Sequence, residues 1–295
     1  MSQTSERAKT RLRNLTAIEP LLNALKTISM GNWQIALNKV TQIQHYERHY
    51  NRILVNVLPV LGDEVIRGTK PGKDHNKVIF LIIGTEHGLC GRFNDILAEN
   101  AINWVRTQNP PQQYIWVIGT KMLKTLERKG ISPDWAHPLP GREVGTYKQA
   151  YRMTQDWSTR YEKREFDRLV VLYNQATRGG GNKFATLTLL PFTIQPISAE
   201  PMAERKFTPA PIIETDPIGI YRRINQHFLT SSFYQVQLQS MIAESSSRYR
   251  IMEEAKRNAG DIMTALAQEI QAERKRQITQ EMQELAVSAG LIDNK

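Results

Sequence analysis

The sequence contains little of what marks a secreted, disulfide-bonded or membrane-spanning protein. Cys90 is the only cysteine, so an internal disulfide and a cysteine-based zinc site are both excluded. No apolar run reaches the roughly 20 residues that cross a bilayer. The basic residues of the N-terminal segment are not followed by the apolar block of a secretory signal. We therefore expect the protein to reside in the cytoplasm.

Glycine and proline are scarce at both ends of the chain. Pro20 and Gly31 are the only proline and glycine between residues 2 and 58. Between residues 218 and 295 there are only three glycines and no proline. Because these residue types punctuate structure, their scarcity predicts one long helix at each end. A helix over most of the C-terminal stretch would be on the order of 110 Å long at 1.5 Å per residue, so it needs a partner helix or an enclosing protein.

Both ends carry apolar residues at helical spacing. The C-terminal stripe runs from Tyr221 to Ile270. The N-terminal stripe, spaced mainly by three, four or seven residues, consists of Leu12, Leu15, Leu22, Leu25, Ile28, Ile35, Val40, Ile43, Tyr46 and Ile53. Two such stripes predict an antiparallel coiled coil of residues 1–62 with residues 212–295.

Pro20 interrupts the N-terminal stripe. Proline removes a backbone donor and clashes with the preceding turn, so we expect the first helix to kink or restart there. Thr16 and Glu19 have the spacing of a capping box, which supports a restart.

The middle of the chain alternates strand-like and helix-like segments. The predicted strands, rich in β-branched and aromatic residues, are 77–84, 114–119, 168–174 and 184–192. Helix-compatible stretches separate the first three, which predicts a small, Rossmann-like open sheet over residues 75–195 with these strands parallel. The short RGGGNK connection predicts that the fourth strand returns antiparallel. The predicted fold class is α/β, with this sheet domain added to a long antiparallel coiled coil.

Groupings of residues that would indicate catalysis are scarce. The glycines of GTEHGLCG do not match G-x-G-x-x-G, and no G-K-[ST] occurs, so we expect no nucleotide or other cofactor. Cys90 and His87 could act as nucleophile and base, although a small buried thiol in a tight strand-to-helix turn explains Cys90 better. A thiol-dependent α/β enzyme that uses these two residues stays open as an alternative.

The charge balance allows several kinds of partner. Lys and Arg number 39 against 29 Asp and Glu, a formal net charge of +10. This surplus suits nucleic acid, an anionic lipid surface or an acidic protein. The basic residues are spread along the chain among many glutamates, which argues against nucleic acid. A basic coiled-coil adaptor, for nucleic acid or an acidic protein, is the second alternative.

The C-terminal stripe changes character near its end. Residues 271–277, QAERKRQ, contain no large apolar side chain, which favours a surface that meets a polar partner. The apolar pattern resumes at Ile278, Met282 and Leu285. Because the segment from Leu285 to Ile292 is almost uncharged, we expect a partner to enclose it.

In order, these segments resemble the gamma subunit of the F-type rotary ATP synthase over nearly the whole chain. GTEHGLCGRFN is similar to the family's D-R-G-L-C-G-x-x-N, and VLYN followed by TLTLLPF is similar to its later strands. The C-terminal block resembles the family's A-S-E-x-x-x-R-M, N-A-x-x-x-I and I-T-x-E-x-x-E elements. The residues in register there are Ala243, Glu244, Arg248, Met252, Ala255, Asn258, Ala259, Ile278, Thr279, Glu281 and Glu284.

The resemblance implies a non-catalytic rotor subunit of a central stalk. The coiled coil would sit inside a ring of three alpha and three beta subunits, and the foot would carry the epsilon subunit and the membrane c-ring. Such a subunit couples ion-driven rotation to ATP synthesis or hydrolysis at the alpha/beta sites. It would lie on the cytoplasmic face as a peripheral protein, touching the membrane only through the rotor, without a cofactor and without nucleic acid.

The resemblance also assigns contacts with the catalytic ring. In the family, an Arg-Gln pair ahead of I-T-x-E contacts a beta-subunit loop, and the matching residues are Arg274 and Lys275. Lys275 departs from the family, because lysine donates hydrogen bonds but cannot accept them. Ser288 in place of a glycine is a further departure and suggests a divergent branch. The predicted contact residues are Arg274, Lys275, Thr279, Glu281, Leu285 and Val287.

Overall fold

The computed structural model describes most of the chain as helices and strands. The described residues are 3–57, 77–139, 145–177, 181–191 and 216–288. The helices are α1 (Gln3–Val57), α2 (Phe93–Gln108), α3 (Thr120–Arg128), α4 (Tyr147–Glu162) and α5 (Pro217–Ser288). The strands are β1 (Lys77–Ile83), β2 (Gln112–Ile118), β3 (Trp135–His137), β4 (Arg168–Ala176) and β5 (Asn182–Leu190).

The chain divides into two compact units. The terminal unit comprises Met1–Ser29 and Tyr249–Lys295, and the sheet unit comprises Met30–Arg248. The segment boundaries expected from the sequence, at residues 62, 75, 195 and 212, lie outside the described residues and stay predictions.

The sheet has the order β3-β2-β1-β4-β5. β1 pairs in parallel with both β2 and β4, and β2 pairs in parallel with β3. β5 runs antiparallel to β4. The predicted parallel strands and antiparallel return are confirmed, whereas the three-residue β3 was missed because WAH is too short to show a strand pattern.

After Lys77, β1 is buried on both faces, which explains why the rest of its sequence, VIFLII, is continuously apolar. Alternate residues point to opposite faces. Ile79, Leu81 and Ile83 pack in a cluster with residues of α1, α4 and α5. The other set, including Phe80 and Ile82, packs against α2 and α3.

The covered side of α1 follows a seven-residue repeat. Fifteen of its buried or half-buried positions alternate in steps of four and three. They are Ala8, Leu12, Leu15, Glu19, Leu22, Lys26, Ser29, Trp33, Ala36, Val40, Ile43, Glu47, Tyr50, Leu54 and Val57. Such a repeat is the signature of a coiled-coil seam.

This seam corrects part of the predicted apolar stripe. Ile28, Ile35, Tyr46 and Ile53 were expected on the paired face, but each is between 46% and 61% exposed. Each stands one residue before a seam position, and the seam itself includes small and polar residues. A stripe drawn only through large apolar residues therefore drifts off the true repeat.

The terminal unit shows that α1 and α5 pair antiparallel. Thr16 Oγ1 lies 3.7 Å from Met263 Sδ. Ten residues later on α1, Lys26 forms an ion pair with Glu253, and its Nζ lies 5.2 Å from the centre of the Tyr249 ring. Residue numbers rise along α1 as they fall along α5, which confirms the predicted antiparallel pairing.

The prediction that α1 restarts at Pro20 is wrong. The helix is continuous from Gln3 to Val57. Thr16 Oγ1 donates to the Leu12 carbonyl at 2.9 Å instead of capping a new helix. Pro20 lies on the exposed side, where water can satisfy the carbonyl that loses its helical donor, and the seam continues in phase at Glu19 and Leu22.

Candidate functional site

In open α/β sheets, ligands bind in the crevice at the carboxyl ends of the strands, where the strand order reverses. Here that point lies between β1 and β4. Residues of α5 occupy it: Ser240 Oγ donates to the Ile83 carbonyl at 3.4 Å, and Arg248 Nε donates to the Gly88 carbonyl at 3.2 Å. The position that receives a nucleotide in ligand-binding relatives of this architecture holds the chain's own helix.

Side-chain hydrogen bonds hold the turn after β1. The Asn94 side chain accepts from Thr85 N at 3.1 Å and donates to Thr85 Oγ1 at 2.8 Å. Thr85 Oγ1 in turn donates to the His87 carbonyl at 2.8 Å. A Cβ at Gly84 would overlap Met122, so glycine is required by this close approach. Gly84 therefore serves packing between this turn and α3.

Cys90 lies in the same turn as a buried thiol. It is 4% exposed and packs with Phe93 and Ala243. Burial raises the pKa of the Cys90 thiol, which disfavours the thiolate that a nucleophile requires. His87 is exposed. The geometry supports the buried-thiol interpretation and gives the thiol-dependent enzyme no support.

Glu244 and Arg248 form an ion pair one helical turn apart on α5. Their side chains are only 14% and 11% exposed. Burial raises the pKa of Glu244, and the nearby Arg248 and His87 act in the opposite direction. Arg248 thus neutralises a buried carboxylate while its Nε contacts the Gly88 carbonyl. The sequence resemblance identified both residues but did not reveal this connection between α5 and the turn.

Near its C-terminal end, α5 extends beyond its pairing with α1. Thr16 contacts Met263, and extending that antiparallel register by the thirteen residues back to Gln3 reaches about residue 276 of α5. The seam of α5 ends accordingly in two half-buried polar residues, Glu273 and Gln277. The part of α5 after Gln277 has no counterpart in the described part of α1.

The predicted contact residues all lie on this last part of α5 or just before it. Arg274, Lys275, Thr279 and Glu281 are exposed. The Thr279 hydroxyl donates to the Lys275 carbonyl at 2.9 Å, so it is partly satisfied within the helix. These residues share one exposed helical segment, and the structure gathers them around no buried pocket.

The apolar members of this segment are exposed as well. Leu285 is 68% exposed and Val287 is 43% exposed. Ile278 and Met282, spaced with Leu285 by four and three residues, extend the same exposed apolar face. Residues 289–292 of the predicted uncharged end lie outside the described residues.

Sequence reasoning missed the polar contact inside the terminal seam. Lys26 and Glu253 pair there, and the pairing raises the pKa of Lys26 and lowers the pKa of Glu253. The available signal was the seven-residue repeat itself, because Lys26 and Ser29 occupy positions where apolar residues are usual.

Within the described residues, no helix is long and apolar enough to cross a membrane. In the same part of the chain, no three His, Cys, Asp or Glu side chains come together where a metal ion could bind.

Comparisons with known proteins agree along the whole chain. The sequence model described as ATP synthase matches residues 4–290. The ATP synthase gamma chain of Pelotomaculum thermopropionicum is 23% identical over 287 residues, which cover 96% of this chain and 97% of that protein. The gamma chain of Chlorobium phaeobacteroides is 24% identical over 97% of this chain and 98% of its own length.

Solved structures share the fold. The rotor of the Euglena gracilis mitochondrial ATP synthase aligns with a TM-score of 0.61 at 15% identity, over 93% of this chain and 99% of that one. The central stalk and c-ring structure from Tetrahymena thermophila aligns with a TM-score of 0.55 at 16% identity, over 80% of this chain and 99% of that one.

Two long helices pair antiparallel, and one of them fills the ligand crevice of an open sheet. This architecture defines a stalk-type subunit. The chain belongs to the ATP synthase family. The prediction of a non-catalytic gamma subunit of the central stalk is confirmed. The adaptor and the thiol enzyme are set aside by this membership.

Proposed function

We propose that the chain turns as the rotor of an ATP synthase and couples ion-driven rotation in the membrane to ATP synthesis or hydrolysis at alpha/beta sites. The observation that carries this proposal is the end of α5, which continues past its pairing with α1 and exposes both polar and apolar residues. A single asymmetric helix end presents a different face to each surrounding subunit as it turns. Each catalytic site would then be shifted in turn between states of different nucleotide affinity.

The proposed partners are the alpha and beta subunits, the epsilon subunit and the membrane c-ring. The names of the solved structures support this: one is an assembly of OSCP, F1 and c-ring from Euglena gracilis, and another is a central stalk with its c-ring. The chain would lie peripherally on the cytoplasmic face of the membrane, touch it only through the rotor, and bind no nucleic acid.

The contact residues divide into two groups by chemistry. Arg274, Lys275, Thr279 and Glu281 would contact the beta subunits through charged and hydrogen-bonded groups, which hold one orientation. Leu285 and Val287 would rotate against apolar side chains of the surrounding subunits. Apolar contacts are non-directional, so they cost little to re-form at each angle of rotation.

Assembly is the first test. The full-length chain, co-expressed with the alpha and beta subunits of its own organism, should purify as a complex with ATPase activity. A chain that folds but does not purify with those subunits contradicts the proposal.

Arg274→Ala tests the contact with the beta subunits. We expect the complex to assemble normally but to produce less ATP-driven torque, because one guanidinium of the polar group is lost. The matched control is Arg257→Ala, which removes an exposed arginine of the same helix outside the polar segment. Torque is measured from the rotation rate of a rod attached to the rotor. Equal torque in wild type and Arg274→Ala contradicts this role.

A further inference from the structure

A groove of about 950 Å³ runs between α4 and the first turns of α5, within the sheet unit. Four of the α4 residues that line it are spaced by four, three and four positions, which places these four on one face of that helix. They are Tyr151, Gln155, Ser158 and Glu162, and Thr159 and Tyr161 line the groove beside them. Neither the family resemblance nor the catalytic-ring contacts assign a role to this surface.

The charge on the groove is positive. Arg222 and Arg223 line it from α5, and both are exposed. Among the described residues that line the groove, Glu162 is the single carboxylate. The backbone N–H groups of Ile218 and Gly219 are already bonded to the Asp216 carboxylate at 3.1 and 3.0 Å, so the start of α5 is capped. The attraction for an anion therefore comes from the two guanidinium groups.

The shape distinguishes an extended ligand from a small phosphate. Arg222 and Arg223 are neighbours on a helix, so their side chains leave it about 100° apart and do not converge on one point. The groove follows two helix faces, and hydroxyl, amide and phenol groups are spread along it. This arrangement fits a peptide with carboxylates at separate positions better than one phosphate group.

We propose that this groove binds an acidic segment of a partner protein. Arg222 and Arg223 pair with two carboxylates of the segment. Glu162 opposes binding at one end and so helps to fix the position of the segment. The proposal does not depend on rotation and holds for the full-length chain by itself.

The test uses a fluorescein-labelled peptide of ten residues that alternates Glu and Leu, with binding to the full-length chain followed by fluorescence anisotropy. Arg222→Glu/Arg223→Glu should weaken binding at least tenfold. The matched control, Arg250→Glu/Arg257→Glu, makes the same charge change at exposed arginines of the terminal unit and should change affinity less than twofold.

Two further measurements make the result independent of misfolding. Glu162→Lys should tighten binding of the same peptide severalfold, and a damaged protein cannot produce a gain. An equal loss in both arginine double variants would reduce the effect to general charge attraction and overturn the proposal. Tighter binding of a labelled oligothymidine, abolished by the groove variant alone, would also overturn it in favour of nucleic acid.

Discussion

At the scale of single residues, the turn after β1 is held by hydrogen bonds from side chains of two other elements. Arg248 contacts a turn carbonyl, and Asn94 and Thr85 close the turn from the other side. Burying Glu244 costs free energy, because burial disfavours the charged form of its carboxyl. The main effect of the ion pair with Arg248 is therefore to avoid an unpaired buried charge, and it adds little net stability.

Arg248→Leu should lower the free energy of unfolding by about 3–5 kcal/mol at neutral pH, the typical cost of leaving a buried charge unpaired. Because the pKa of Glu244 is raised, protonation of the carboxyl relieves part of this cost, and the deficit should shrink as the pH falls below neutral. Urea unfolding at several pH values measures it. The double variant Glu244→Leu/Arg248→Leu should recover most of the loss, and no recovery would contradict the account.

Cys90 should react slowly with iodoacetamide in the folded chain. Burial both blocks access and raises the thiol pKa above its ordinary value of 9.0, so the rate should still be rising at pH 9. Mass spectrometry of the alkylated protein measures the rate. Ile96→Cys in a Cys90→Ala background provides an exposed thiol for comparison, since Ile96 is 46% exposed. Equal rates at the two positions would show that Cys90 is accessible.

At the scale of elements, the long helices are organised by a repeat rather than by apolar content. Ala36 is fully buried on α1, whereas the neighbouring Ile35 is 48% exposed. The alternation of four and three residues along the seam determines which side of the helix is covered. Small residues in the seam allow close approach of the paired helix.

Ile43→Ala should therefore cost about 2–5 kcal/mol, because Ile43 is a buried member of the seam. Ile35→Ala makes the same chemical change eight residues earlier on an exposed face and should change stability by about 0.5 kcal/mol or less. Denaturant unfolding of both variants compares them directly. Similar losses would mean that Ile35 lies in the paired face after all.

The elements also show what the sequence could and could not predict. Scarcity of glycine and proline was sufficient for the two long helices, and continuous apolar runs were sufficient for the buried strands. The phase of the seam was lost because Glu19, Lys26 and Ser29 do not look like core residues. The filling of the crevice by α5 depends on contacts such as Ser240 with Ile83, 157 residues apart, which no local pattern reveals.

At the scale of the whole molecule, the apolar core is unevenly distributed. Every cluster of buried apolar side chains found among the described residues lies in the sheet unit, between Ala36 and Ile242 or Ala243. Within its own described residues, the terminal unit buries only small sets of apolar side chains, namely Ala8, Met252, Ala259 and Leu266. The stability of the terminal unit thus rests on few contacts, and enclosure by other subunits would add to them.

A chain reduced to residues 30–248 should therefore keep a cooperative thermal transition close to that of the full-length protein. A mixed pair of peptides covering residues 3–29 and 249–288 should be weakly helical, because helices with few buried contacts are marginal in water. Circular dichroism measures both. Strong helicity in the peptide pair, or a fragment without a cooperative transition, would contradict this distribution of stability.

The seven-residue repeat also has a mechanical consequence. Helices that keep such a repeat coil around each other with a left-handed twist. A coiled coil of one hand winds more tightly when torque is applied in one sense and unwinds when torque is applied in the other. In the terminal unit, with an ion pair between Lys26 and Glu253 in its seam, we expect torsional stiffness to differ between the two senses of twist.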